Sequence, residues 1–169
     1  MMITVNEFMT PDPFTLCESD SLSDARKIMT ERNIRHIPVI DKDKRLLGLI
    51  TQRDVLAATD PKSKQQTKSS PCQGDEDIKL SEIMMRDVSV IHDKDSLRQA
   101  AMYIQSHKYG CLPVVSNDCL IGIITDSDFI QVAINLLEQV ELTDENADSG
   151  LDDTVDDVDL VEFEQSLDQ

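Results

Sequence analysis

The sequence repeats itself: residues 5–54 lie over residues 80–128, with one residue dropped late in the second copy. Glu7-Phe8-Met9 meets Glu82-Ile83-Met84, Asp20-Ser21-Leu22 meets Asp95-Ser96-Leu97, and Pro38-Val39 meets Pro113-Val114. Gly48-Leu49-Ile50-Thr51-Gln52-Arg53-Asp54 then meets Gly122-Ile123-Ile124-Thr125-Asp126-Ser127-Asp128. So many coincidences in the same order mark an internal duplication. Each copy has only about 50 residues, a size at which an independent core is marginal. The copies are therefore expected to bury their apolar faces against each other and to form related clefts where they meet.

The local grammar is shared. Thr4 with Glu7 has the spacing of a capping box for a short entry helix. An extended stretch follows at 14–16 and again at 89–91. Ser21 with Asp24, and Ser96 with Gln99, open helices with apolar positions at helical intervals. These are Leu22, Ala25, Ile28 and Met29 in one copy, and Leu97, Ala100, Ala101 and Ile104 in the other. Short strands come next at 37–40 and 46–50, joined by the polar turn 41–45; their counterparts are 112–115 and 120–124, joined around Asn117-Asp118. A second helix opens at Thr51 and at Thr125. The order is β-α-β-β-α, twice: an α/β (α+β) fold of two pseudo-symmetric repeats packed as one module. The last helix, 128–142, carries Phe129, Ile130, Ala133, Ile134, Leu136, Leu137 and Val140. That is more apolar surface than a terminal helix exposes safely. It is expected in the shared core or across a homodimer interface.

The repeats are read as residues 4–59 and 78–142. Between them, 60–77 is polar and without periodicity, which reads as a flexible surface linker. From Glu141 to Gln169 there are twelve Asp or Glu and no Lys or Arg, so this end carries most of the formal charge of −17. Residues 143–169 read as an acidic, disordered tail. Leu151, Val155, Val158, Val161 and Phe163, at roughly helical intervals, leave open a segment that folds on docking.

Composition narrows the class. Hydrophobic residues make up 40% and aromatic residues only 4%, which suits an aliphatic α/β core. Nucleic-acid affinity rests mainly on basic groups, so nucleic acid is not an expected partner. No apolar run approaches the roughly 20 residues of a membrane span, and the start lacks a secretion-signal pattern. No membrane partner is expected, and the protein reads as cytoplasmic. Cys17, Cys72, Cys111 and Cys119 lack metal-ligand spacing and read as reduced, mostly buried thiols packing as small hydrophobes.

The sharpest constellation is Gly48-h-h-Thr51-x-x-Asp54 with its twin Gly122-h-h-Thr125-x-x-Asp128, where h is hydrophobic. A strand ends there and a helix begins. Each glycine allows a ligand or another backbone to approach, and the threonine sits near free N–H groups at the helix start. The aspartate is placed to accept hydrogen bonds from ribose hydroxyls. The same spacing is also that of a helix cap needing no ligand. Presence of the whole pattern in both copies, each time after h-Pro-Val, favours the ligand reading.

Duplicated β-α-β-β-α halves with these two motifs, opened by Met9-Thr10-Pro11, resemble the tandem cystathionine β-synthase (CBS) domain pair, or Bateman module. The resemblance runs from about Thr4 to Leu142. It implies that Thr51 and Asp54, and Thr125 and Asp128, hold ribose and nearby phosphate. It further implies adenine pockets from Phe14, Thr15 and Leu16 with Ile37, Pro38 and Val39, and from Ser89, Val90 and Ile91 with Leu112, Pro113 and Val114. The copies differ around these motifs. Arg35, His36 and Arg53 in the first are candidate phosphate contacts; Gly110, Cys111 and Ser127 replace them in the second, beside the extra acid Asp126. The two sites are therefore expected to differ in affinity or ligand. His36 also reads as a packing residue.

No catalytic set emerges. His36, His92 and His107 form no His-x-x-x-His pair and lie in no nucleophile signature, and neither a Walker loop nor Gly-x-Gly-x-x-Gly occurs. Catalytic residues, metal ligands and a cofactor are all left unassigned; the chain reads as a non-enzyme. The expected function is a regulatory module. It would bind AMP, ADP, ATP, S-adenosylmethionine or NAD in clefts between the repeats and signal to an unidentified effector protein. The alternative is a nucleotide-independent scaffold or dimerisation module. Divalent-cation sensing has only sheer acidity behind it.

Overall fold

The computed structural model describes residues 2–59 and 78–148, side chains of 143–148 excepted. The 60–77 linker, Cys72 and the tail from 149 lie outside the described residues. There are two compact units, the first ending at Gln131 and the second starting at Val132.

The first unit holds the first repeat and the second as far as Gln131, so the last helix crosses the boundary. A 3-10 turn, Val5–Glu7, stands where the sequence suggests an entry helix. After it come β1 (Thr10–Pro11), β2 (Leu16–Cys17), α1 (Leu22–Arg32), β3 (His36–Ile40), β4 (Leu46–Thr51) and α2 (Gln52–Thr59). The second copy gives α3 (Leu80–Ile83), β5 (Ile91–His92), α4 (Leu97–His107), β6 (Cys111–Ser116), β7 (Cys119–Thr125) and α5 (Asp126–Asp148).

The caps explain where the main helices begin and end. Ser21 N–H donates to Asp24 Oδ2 at 3.0 Å and Asp24 N–H returns to Ser21 Oγ at 3.2 Å. In α4, Gln99 N–H donates to Ser96 Oγ at 3.2 Å. Both helices stop in a left-handed residue, Asn33 and Lys108. Each buries its stripe, Leu22, Ala25 and Met29 in α1 and Leu97, Ala100 and Ile104 in α4.

Strands pair as β2-β3-β4 in one sheet and β1-β7-β6-β5 in the other. β1 belongs by sequence to the first repeat yet lies antiparallel to β7 of the second, Thr10 facing Ile123 and Pro11 facing Gly122. Its counterpart is Met85, which exchanges two backbone hydrogen bonds with Leu49 at 2.9 and 3.0 Å. Entry segments are exchanged too. Val5 N–H donates to the Asp95 carbonyl and Leu97 N–H to that of Ile3, at 2.9 and 3.0 Å. In the mirror arrangement Leu22 N–H reaches the Ile78 carbonyl and Leu80 N–H that of Asp20, both at 2.9 Å. Leu80 and Met84 thus complete the core formed by Leu22, Met29, Ile37 and Ile50 of the first repeat. Two repeats too small to stand alone are packed as one body.

The last helix departs from expectation. It starts at Asp126 and continues to Asp148, beyond the boundary read at residue 142. Among the described residues, Ile130, Ile134, Leu136, Leu137 and Val140 are exposed rather than buried in a core. Cys17 is exposed as well, while Cys111 is buried.

Candidate functional site

Two clefts open where the repeats meet. The larger, about 450 Å³, takes Thr51, Arg53 and Asp54 from the end of β4 and start of α2. Opposite them stand Lys108, Tyr109 and Gly110 from the loop between α4 and β6. The smaller, about 320 Å³, takes Thr125, Asp126 and Ser127 from the second repeat, facing Phe14 and Ile34 of the first. Each cleft therefore joins the motif of one repeat to the loop preceding Pro-Val in the other. Arg35, His36 and Asp126 line both.

Both motifs carry the same hydrogen bonds. Thr51 N–H and hydroxyl donate to Asp54 Oδ2 at 2.8 and 2.6 Å, and Asp54 N–H returns to Thr51 Oγ1 at 3.4 Å. Thr125 N–H and hydroxyl donate to Asp128 Oδ2 at 2.7 and 2.8 Å. The cap reading is real in both copies. It uses one carboxylate oxygen, and among the described residues neither Oδ1 takes a hydrogen bond. Asp54 lines the larger cleft; Asp128 is not among the residues lining the smaller one.

The glycines of the motif admit backbone from the other repeat rather than an open channel. A Cβ on Gly48 would lie 2.8 Å from the Met85 carbonyl oxygen, and one on Gly122 would lie 3.1 Å from that of Thr10.

The strand residues proposed by resemblance are placed differently. Ile37, Pro38, Val39, Leu112, Pro113 and Val114 are fully buried and line neither cleft, because both faces of these strands are covered. Leu16 and Ile91 are buried, Thr15 is half-buried and Val90 exposed, and none lines either cleft. Phe14 does line the smaller cleft, with the Arg32 guanidinium 4.8 Å from its ring centroid. Ser89 hydrogen-bonds the Tyr109 hydroxyl at 3.3 Å.

Tyr109 and Lys108 are cleft residues that the motif reading missed. Tyr109 stacks on His107 with centroids 5.3 Å apart, and His107 stacks on Tyr103 at 4.4 Å. Their one sequence signal is position, two and three residues ahead of Cys111, where the first copy has Ile34 and Asn33.

Charge separates the clefts. The larger brings Arg35, Arg53 and Lys108 against Asp54 and Asp126, whereas the smaller has Arg35 against Asp126. His36 adds no charge at neutral pH. Burial, then the neighbouring Arg35, pushes its pKa below the ordinary imidazole value. Its ring packs on Gly110, where a Cβ would come within 2.6 Å of Nε2. Burial, with Asp126 nearby, pushes the Cys111 thiol up to about 12, so it faces the larger cleft as a neutral thiol.

Solved structures share this fold. A Vibrio cholerae protein called AcuB, named for acetoin utilization, is 45% identical, covers 83% of this chain and 98% of its own, and superposes with a TM-score of 0.73. CBSX2 in complex with AMP is 28% identical over 79% of this chain and 98% of its own, TM-score 0.67. A CBS domain pair holding 5′-methylthioadenosine and S-adenosylmethionine is 26% identical over 76% of this chain and 98% of its own, TM-score 0.64. Among curated sequences, a CBS domain-containing protein of Dictyostelium discoideum is 31% identical over 83% of this chain and 97% of its own length. The homoserine O-acetyltransferase of Methanococcus vannielii is 34% identical over 72% of this chain, which spans only 23% of that enzyme. The sequence profile of the CBS domain matches residues 5–60 and again 80–135. The chain therefore belongs to the CBS-domain family, as a tandem pair of CBS domains.

Proposed function

We propose that this CBS pair is a regulatory module that binds an adenosine nucleotide in its larger cleft and acts by binding, without catalysis. The observation that carries the proposal is the cleft joining Thr51 and Asp54 to Tyr109, Arg35, Arg53 and Lys108. Asp54 keeps an oxygen for a ribose hydroxyl, the part-exposed Tyr109 ring offers a surface for a base, and three cations suit phosphate. That CBSX2 has been solved with AMP supports the same reading. AMP, ADP, ATP and NAD all present phosphate beside adenosine; S-adenosylmethionine presents a positive charge instead. In this proposal the occupied cleft alters a surface read by an effector protein in the cytoplasm.

A thermal-shift series with AMP, ATP, S-adenosylmethionine and GMP tests it. A ligand at 100 times its Kd stabilises by about 2.7 kcal/mol. Shifts with adenosine ligands exceeding that with GMP are expected. No shift with any of them at millimolar concentration overturns the proposal.

A second reading has its own observation. Exposed Ile134, Leu136, Leu137 and Val140 on α5 favour a dimerisation or scaffold surface. Sedimentation showing one species at dimer mass, with or without nucleotide, would support it; a monomer at all concentrations would remove it.

A further inference from the structure

The two clefts share a wall, lined by Arg35, His36 and Asp126, and an ion pair runs across it. Arg35 Nη2 lies 3.5 Å from Asp126 Oδ1, and both residues line both clefts. The pair joins the repeats, since Arg35 precedes β3 of the first and Asp126 opens α5 of the second. The duplication does not supply a twin. Gly110 stands at the position of Arg35 and Gln52 at that of Asp126, so this pair of opposite charges has no counterpart at the repeat-related positions. Both side chains are about half exposed, 57% and 47%, which leaves each able to turn towards solvent or ligand.

We propose that Arg35 and Asp126 couple the clefts, so that a phosphate-bearing nucleotide in the larger favours a cationic adenosyl ligand in the smaller and disfavours a second phosphate there. This rests on the nucleotide reading above. A phosphate in the larger cleft attracts Arg35 together with Arg53 and Lys108. Asp126 is then left facing the smaller cleft without its partner. That cleft has no further cation among its lining residues, and Phe14 and Ile34 give it an apolar side. An anion entering meets an unpaired carboxylate, whereas a sulfonium or ammonium group replaces the withdrawn guanidinium. Since linkage is reciprocal, each ligand raises the affinity of the other by the same factor. Solvent screening of a half-exposed pair limits that factor to about two- to fivefold.

The experiment is calorimetric titration of the whole chain with AMP, in the absence and presence of saturating S-adenosylmethionine, with adenosine as the uncharged control. AMP affinity should rise about two- to fivefold with S-adenosylmethionine and less with adenosine. In Asp126→Asn the ratio of affinities with and without S-adenosylmethionine should fall to one, whatever the variant does to either affinity alone. AMP binding that S-adenosylmethionine leaves unchanged or weakens overturns the coupling while sparing the nucleotide reading. Absence of AMP binding removes both.

Discussion

Thr51 and Asp54 are tied to each other by two short hydrogen bonds, from the amide at 2.8 Å and the hydroxyl at 2.6 Å, both ending on Oδ2. A helix cap and a ribose acceptor are therefore compatible in one carboxylate, because capping uses a single oxygen. Asp54→Ala should cost about 1 kcal/mol of stability through the cap and, separately, lower AMP affinity by tenfold or more through the lost acceptor. Thermal melts and calorimetry read the two effects independently. Undiminished AMP affinity in the Asp54→Ala, Asp128→Ala double variant would remove these residues from the site.

Gly48→Ala should destabilise the fold without touching any ligand. The new Cβ would stand 2.8 Å from the Met85 carbonyl, whose oxygen accepts a hydrogen bond from Leu49 N–H at 2.9 Å. Backbone has to move, at a cost of about 1–3 kcal/mol. Chemical denaturation measures it; a variant as stable as the parent contradicts the close approach.

Acid should weaken the fold through His36. Burial, then Arg35, holds its folded-state pKa below the unfolded value, so the unfolded chain takes up this proton more readily. Stability is complete above the unfolded value of about 6.5 and declines as pH falls through that range towards the folded value. His36→Gln should flatten the decline that sets in as pH falls below about 6.5 in melts recorded across pH; an unchanged slope counts against it. Asp24, lowered chiefly by the Ser21 hydroxyl, loses its contribution only at more acid pH, as its carboxylate protonates.

Thiol reagents should distinguish Cys17 from Cys111. Cys17 is exposed, while Cys111 is buried with its pKa pushed up to about 12. Iodoacetamide at neutral pH should label Cys17 in the native protein and Cys111 only after denaturation, as read by peptide mass spectrometry. Native labelling of Cys111 at the rate of Cys17 would show the larger cleft to be more open than described.

What was legible in the sequence was local. The caps at Ser21 and Ser96 follow from short-range spacing, and both occur. Asn117-Asp118 reads as a tight hairpin turn, and both residues have positive φ. Pairing between the copies leaves no such trace. Thr10-Pro11 is too short for any periodicity, and its partner is a strand more than a hundred residues away. For the same reason motif spacing does not reveal that Thr51 faces Tyr109 across the interface. The Pro-Val strands were expected to line the pocket, but their side chains are spent on the core that brings the clefts together.

The exchanged entry segments impose an order on synthesis. The Val5 amide finds its partner only when Asp95, about 90 residues downstream, has left the ribosome. Thr10 and Pro11 wait longer still, for Ile123 and Gly122. Before that, until Leu80 and Met84 have emerged, the first half also lacks part of its own interior. The nascent chain must keep its beginning unfinished until its last strand is made, so a stall in the second half would expose apolar surface from the first.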